Sequence, residues 1–254
     1  MTADLKAAAR TALACLDLTS LNDADTAADI DALCQRAQTA HGPVAAVCVW
    51  PRFVAQARAA LPASIKVAAV ANFPDGALDL PRALADIAEI ALAGGDEVDV
   101  VLPYRTLLAD QATEVAEFLS EVRFATRPLT LKVIIESGEL ETADRIAQAT
   151  RLALAAGADF VKTSTGKTKV GATPAAAAVM LKEIATSGLS AAGFKASGGV
   201  RSVADAAGYI AQAETALGSA ALNAQRLRFG ASGLLGDIEA VLSGAESAAV
   251  TAAY

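Results

Sequence analysis

Short apolar runs recur along the chain at near-regular intervals: "CLDLT" (15–19), "VAAVCVW" (44–50), "KVAAVANF" (66–73), "EVDVVLP" (97–103), "LTLKVIIES" (129–137), "DFVKTST" (159–165), "AAGFKAS" (191–197) and "LRFGAS" (227–232). Their length and β-branched content predict strands. Between them lie Ala-rich segments with helical period, among them "ADIDALCQRAQTAH" (28–41), "LPRALADIAEIALAGG" (80–95) and "SVADAAGYIAQAETALG" (202–218). Gly94, Gly157, Gly188 and Gly218 stand where helices are expected to end, and Thr173-Pro174 and Ser202 where helices are expected to start. Eight strands separated mostly by helices imply parallel pairing. Eight such units in 254 residues have the count and size of a single (β/α)8 barrel over residues 1–254. A doubly wound open sheet is the rival, but no GxGxxG follows the first strand and no break in composition divides the chain. The first strand is the least regular, being short and carrying Asp17.

Composition sets limits on function. The chain is 54% hydrophobic and 4% aromatic, so a large core must be built mostly from Ala, Val, Leu and Ile. A formal net charge of -7 and the absence of a basic tract argue against nucleic-acid binding. No uninterrupted run of apolar residues is long enough to span a membrane, and the N-terminus has no signal-peptide pattern. Cys15, Cys34 and Cys48 are widely spaced and odd in number, which predicts reduced thiols and a cytoplasmic protein. The one histidine, His41, lies in a polar turn and is expected to be a loop residue. Cys48 is expected to be a small core residue; a thiol near the barrel mouth is the alternative.

Four consecutive strands break the apolar rule of a barrel interior. They carry Asp99, then Lys132 and Glu136, then Lys162, then Lys195. Side chains of a strand alternate between faces, so each of these charges can point inward, into one shared space. Taken singly, Asp99, Lys132 and Glu136 are as well explained by structural ion pairs. Two lysines are harder to explain so, because they do not neutralise one another. A close ammonium pair favours loss of one proton, and a neutral lysine attacks carbonyls to form a Schiff base. Small-residue turns follow the sixth, seventh and eighth strands: "TSTGK", "ASGG" and "GASG". Backbone N–H groups in such turns suit an anion, and in barrels the loops after strands 7 and 8 commonly hold phosphate.

"EVDVVLPYR", "LKVIIESGEL", "GADFVKTSTGK", "GFKASGGVRS" and "RFGASGLL", in this order, resemble deoxyribose-phosphate aldolase, as do "LDLTSLN", "VCVWPRFV" and "NFPDG". The likeness runs through almost the whole chain. It implies a (β/α)8 class I aldolase that cleaves 2-deoxy-D-ribose 5-phosphate reversibly to D-glyceraldehyde 3-phosphate and acetaldehyde, with no metal or organic cofactor. Its partners would be this phosphosugar and small aldehydes, and its assembly a homodimer. The resemblance makes Lys162 the Schiff-base nucleophile, Lys195 the neighbour that lowers its pKa and Asp99 the proton-relay carboxylate, with Lys132 holding Asp99. It puts Thr165, Gly166, Lys167, Gly198, Gly199, Ser232 and Gly233 on phosphate-binding turns, and Asp17 and Thr19 against the sugar hydroxyls. One departure is that Ser232 is followed by Gly233, where the best-known members have a second serine. Tyr254 at the end of the chain is expected to reach the site on a mobile tail. Another Schiff-base aldolase or transaldolase, and a non-catalytic sugar-phosphate-binding barrel, are the rival readings.

Overall fold

A computed structural model describes residues 3–244. Eight parallel strands close into a barrel: β1 (Leu16–Thr19), β2 (Ala46–Val49), β3 (Lys66–Ala71), β4 (Glu97–Val101), β5 (Thr130–Ile134), β6 (Phe160–Lys162), β7 (Gly193–Ser197) and β8 (Leu227–Ala231). Each strand pairs with its sequence neighbours, and β8 closes on β1. The longer helices are α1 (Ala3–Ala14), α2 (Ala27–Arg36), α3 (Val54–Ala60), α4 (Leu80–Leu92), α5 (Ala112–Thr126), α6 (Ala143–Ala155), α7 (Pro174–Thr186), α8 (Val203–Leu217) and α9 (Leu234–Ser243). Helix α1 precedes the first strand and packs against α8 and α9.

The helices form for local reasons as well as for burial. In α4, Ala83, Ile87 and Ile90 share one face and are buried, at i, i+4 and i+7. Burying an Ile side chain of this kind contributes about 1.5–3 kcal/mol. The Asp79 side chain accepts the Arg82 backbone N–H at 3.1 Å, and Pro81 occupies the first turn. Past its end, Gly94 has φ +82°, a conformation costly for a residue with a Cβ. Thr173 and Ser202 cap α7 and α8 as expected, accepting from Ala176 N and Asp205 N; Ser202 forms a full capping box.

The structure departs from the pattern in three places. The helix read through residues 28–41 stops at Arg36, and Gln38–Thr39 pairs antiparallel with Gly42–Pro43 in a small hairpin. The Thr39 hydroxyl donates to Gly42 O at 2.7 Å, and near the helix end Gln38 Nε2 donates to Cys34 O at 3.2 Å and Val44 N to Ala37 O at 3.0 Å. The sixth strand keeps regular pairing only over Phe160–Lys162, because Thr163 to Thr165 already turn toward the neighbouring loops. Helix α1, which lies before the first of the apolar runs, is regular over twelve residues. His41 is exposed in the hairpin turn, 3.2 Å from Ser243 Oγ. All three cysteines are free and buried. Among the described residues no helix is long and apolar enough to cross a membrane. Tyr254 lies outside the described residues.

Candidate active site

Strand register brings the charges together. Across the parallel ladder Asp99 is paired with Lys132, Lys162 with Lys195, and Lys195 with Arg228. Paired residues of parallel strands project to the same face, so these side chains all enter the barrel. Glu97, two residues before Asp99, and Asp17, paired with Gly230 two residues after Arg228, share that face. Seven ionisable side chains therefore meet where a barrel of this size normally packs hydrocarbon.

Asp99 lies at the centre. Its Oδ1 is 2.8 Å from Lys132 Nζ; its Oδ2 is 2.8 Å from Lys162 Nζ and 2.7 Å from Lys195 Nζ. Asp17 Oδ2 accepts a very short hydrogen bond from Lys195 and lies 3.4 Å from Lys132 Nζ. Its Oδ1 accepts from Arg228 Nη1 at 2.5 Å. Below these, Glu97 binds Arg228 Nη2 at 2.8 Å and Lys132 Nζ at 2.5 Å. Burial alone would raise the Asp99 carboxyl, but Lys132, Lys162 and Lys195 outweigh it and hold its pKa well below the usual carboxylate range. Asp17 is likewise held down, against its burial, by Arg228, Lys195 and Lys132. Burial opposes the charge on Lys195, yet Asp17 and Asp99 prevail and raise its pKa; Lys132 is raised in the same way by Asp99, Glu97 and Asp17.

Two expectations change. Lys162 and Lys195 are not a bare ammonium pair, because Asp99 Oδ2 lies within hydrogen-bond reach of both, and Lys195 is held protonated. Asp17 has both carboxylate oxygens engaged and no exposed surface, so it sits among the ion pairs and not at the wall of the mouth. Glu97 and Arg228 were missed as members of the site. A charge in an inward strand position was the available signal, and "LRFGAS" carries it as plainly as "GFKAS" does. Cys48 is fully buried on β2, as its reading as a core residue has it, and burial raises its thiol pKa, followed by Asp99.

Above the ion cluster, at the C-terminal ends of β1 and β6–β8, lies a cavity of about 520 Å3. Thr19, Thr165, Gly166 and Lys167 line one part, and Gly198, Gly199, Ser232 and Gly233 another. Lys162, only 2% exposed, lies outside this lining. Lys167 Nζ donates to Leu21 O at 2.7 Å, tying the turn after β6 to the loop after β1. Thr19 Oγ1 donates back to Asp17 O. Gly198 (φ +82°) lies against Gly171, where a Cβ added at Gly171 would stand 2.4 Å from Gly198 O. At this point the two loops meet backbone to backbone. Gly233, the N-cap of α9, makes no side-chain cap bond, leaving the first N–H groups of that helix for an anion.

Glu136 braces the turn from below. It has φ +52° and is fully buried; Thr165 Oγ1 donates to it at 2.6 Å, Thr165 N at 3.3 Å and Thr168 Oγ1 at 3.2 Å. Burial raises its carboxyl pKa despite these donors.

The chain resembles known proteins throughout. A family model described as DeoC/LacD family aldolase matches residues 11–235. A deoxyribose-phosphate aldolase from Agrobacterium fabrum is 46% identical over 250 residues, spanning 97% of this chain and 96% of that protein. A crystal structure from Toxoplasma gondii, described as a candidate deoxyribose-phosphate aldolase, superposes with TM-score 0.87 at 26% identity, over 97% of this chain and all of the other. The deoxyribose phosphate aldolase of Aeropyrum pernix, described as tetrameric, shares the fold at 24% identity with TM-score 0.73, over 96% and 99% of the two chains. A match of this extent, together with near-half identity over almost the full length of a relative, assigns the chain to the DeoC/LacD family of aldolases.

Proposed function

We propose that this aldolase cleaves 2-deoxy-D-ribose 5-phosphate reversibly to D-glyceraldehyde 3-phosphate and acetaldehyde through a Schiff base on Lys162. The observation that carries the reading is the placing of Lys162. It ends β6 beneath the mouth cavity, and it shares one carboxylate oxygen with Lys195. The neutral amine of Lys162 adds to the C1 aldehyde of the open-chain sugar, and loss of water gives an iminium. The iminium draws electrons from the C2–C3 bond. That bond breaks as the C3 hydroxyl gives up its proton, glyceraldehyde 3-phosphate leaves, and an enamine of acetaldehyde remains on Lys162. Protonation at C2 regenerates the iminium, and water releases acetaldehyde and the free lysine.

Lys195, held charged by Asp17 and Asp99, is the proton donor of this cycle, and Asp99 passes protons between it, a water and the reacting carbons. Lys132 fixes the second oxygen of Asp99. Thr165, Gly166, Lys167, Gly198, Gly199, Ser232 and Gly233 seat the phosphate, whose binding energy positions the distant C1 aldehyde. Thr19 stands at the sugar, and Asp17 acts one step removed, through Lys195. Free, buried cysteines fit a reducing cytoplasm, and a homodimer is the expected assembly.

The test is borohydride reduction in the presence of acetaldehyde, followed by peptide mass mapping. A two-carbon adduct on Lys162 is expected. Its absence, or an adduct confined to other lysines, overturns the mechanism.

A further inference from the structure

We infer that Arg228 and Glu97 are positioning residues that set the charge of the Schiff-base cluster from its far side. The inference rests on the reading of Lys162 as nucleophile. In direct ion contact within the barrel are four cations, Lys132, Lys162, Lys195 and Arg228, and three carboxylates, Asp17, Glu97 and Asp99. The Arg228–Glu97 pair is the part farthest from the mouth. Glu97 precedes Asp99 by two residues, about 6.6 Å along a strand. Arg228 is bound on three sides: Nη1 and Nη2 to Glu97, Nη1 to Asp17 and Nε to Ala224 O, with the guanidinium 5.5 Å above the Phe160 ring. Neither residue lines the mouth cavity, so neither is placed to touch the sugar.

Their leverage is electrostatic. Arg228 takes one oxygen of Asp17 and leaves the other to Lys195, and Glu97 takes Lys132 from below while Asp99 takes it from above. With one more cation than carboxylate in contact, releasing a proton from a lysine brings the cluster to neutrality; Schiff-base formation requires that this lysine be Lys162. The remaining titratable groups facing Lys162 are Glu136 from the end of β5 and the Cys48 thiol from β2. Both are unchanged by substitution at the far end. Arg228 and Glu97 also border a second cavity, of about 1060 Å3, at the N-terminal end of the barrel. Water there can fill the space left by a shorter side chain.

The test is the pH dependence of borohydride trapping at Lys162, with retro-aldol kcat/KM as a second readout. Arg228→Gln removes a positive charge, so its acid limb is expected at higher pH by roughly one unit, as for a unit charge within ~10 Å at an effective dielectric near 20. Glu97→Gln removes a negative charge and is expected to move the limb to lower pH by a similar amount. Combining Glu97→Gln with Arg228→Gln restores the balance and returns the limb to the parent position. Arg228→Lys keeps the charge and leaves the limb in place. A merely structural role would lower the rate or Tm of these variants without opposite shifts. Superimposed pH profiles, or a double variant displaced as far as either single one, would overturn the inference. Should Arg228→Gln fail to fold, the sign of the Glu97→Gln shift decides. Failure of the catalytic reading looks different, because the parent enzyme itself would then give no adduct at Lys162.

Discussion

At the scale of single residues, Asp99 is the most exacting position. Two oxygens serve three ammonium groups, all buried. Asp99→Asn keeps the shape but removes the charge and replaces one acceptor by a donor. The expected result is a fall in kcat of about 10²–10⁴-fold, the usual size of a lost acid–base group. Stability is expected to drop by about 3–5 kcal/mol, as when one partner of a buried ion pair is removed. Steady-state kinetics and urea unfolding measure the two effects. Much of this ion cluster was legible in the chain: Asp99, Lys132, Lys162 and Lys195 stand out because strand residues of that kind have no ordinary place in a barrel core. What one-dimensional reading lacked was the partner of each charge. The contact of Asp17 with Arg228 shows only once β1 lies beside β8.

At the scale of elements, the loops after β6, β7 and β8 make the mouth, and each is shaped by small residues. Gly233 is the informative one. An added Cβ there meets no heavy atom within 4 Å, and its φ of -90° suits any residue, so a serine fits without strain. Gly233→Ser places a hydroxyl at the start of α9, facing the same cavity as Ser232. KM for the phosphorylated sugar is expected to fall relative to the unphosphorylated one by roughly fivefold, equivalent to about 1 kcal/mol for a new hydrogen bond. An unchanged ratio of the two KM values would count against a phosphate seat at this helix. The element pattern itself was largely visible, since alternating strand and helix segments predicted all eight barrel strands. The hairpin at Gln38–Pro43 was not, because its two-residue strands are held by a threonine–glycine turn and carry no periodicity of their own.

At the scale of the whole molecule, the barrel interior makes stability depend on pH at both extremes. Asp17 and Asp99 have depressed carboxyl pKa values when folded. The stability they contribute is present above the unfolded value of about 3.9 and is lost as pH falls through the folded values. Lys132 and Lys195 are raised, so their contribution is complete below about 10.4 and is lost as pH rises through the folded values. Glu136 runs the other way to the two aspartates. Its folded pKa is raised, so stability from it is complete below about 4.3 and declines as pH rises through the folded value. Urea unfolding is therefore expected to show losses at both extremes and, above about pH 4.3, a decline with rising pH contributed by Glu136. Glu136→Gln is expected to remove that decline; a profile identical to the parent's would show that Glu136 carries none of it.

Lys162 is 2% exposed, whereas Lys66 and Lys182 stand on the outer surface. As the proposed nucleophile, an amine recessed in this way is shielded by its burial from most of the carbonyl compounds a cell contains. On the proposed mechanism, a sugar held by its phosphate at this rim of glycines and threonines presents its C1 aldehyde repeatedly without leaving. Capture and reaction would then be separate in space, with the polar mouth holding the anion and the buried amine lying beneath it.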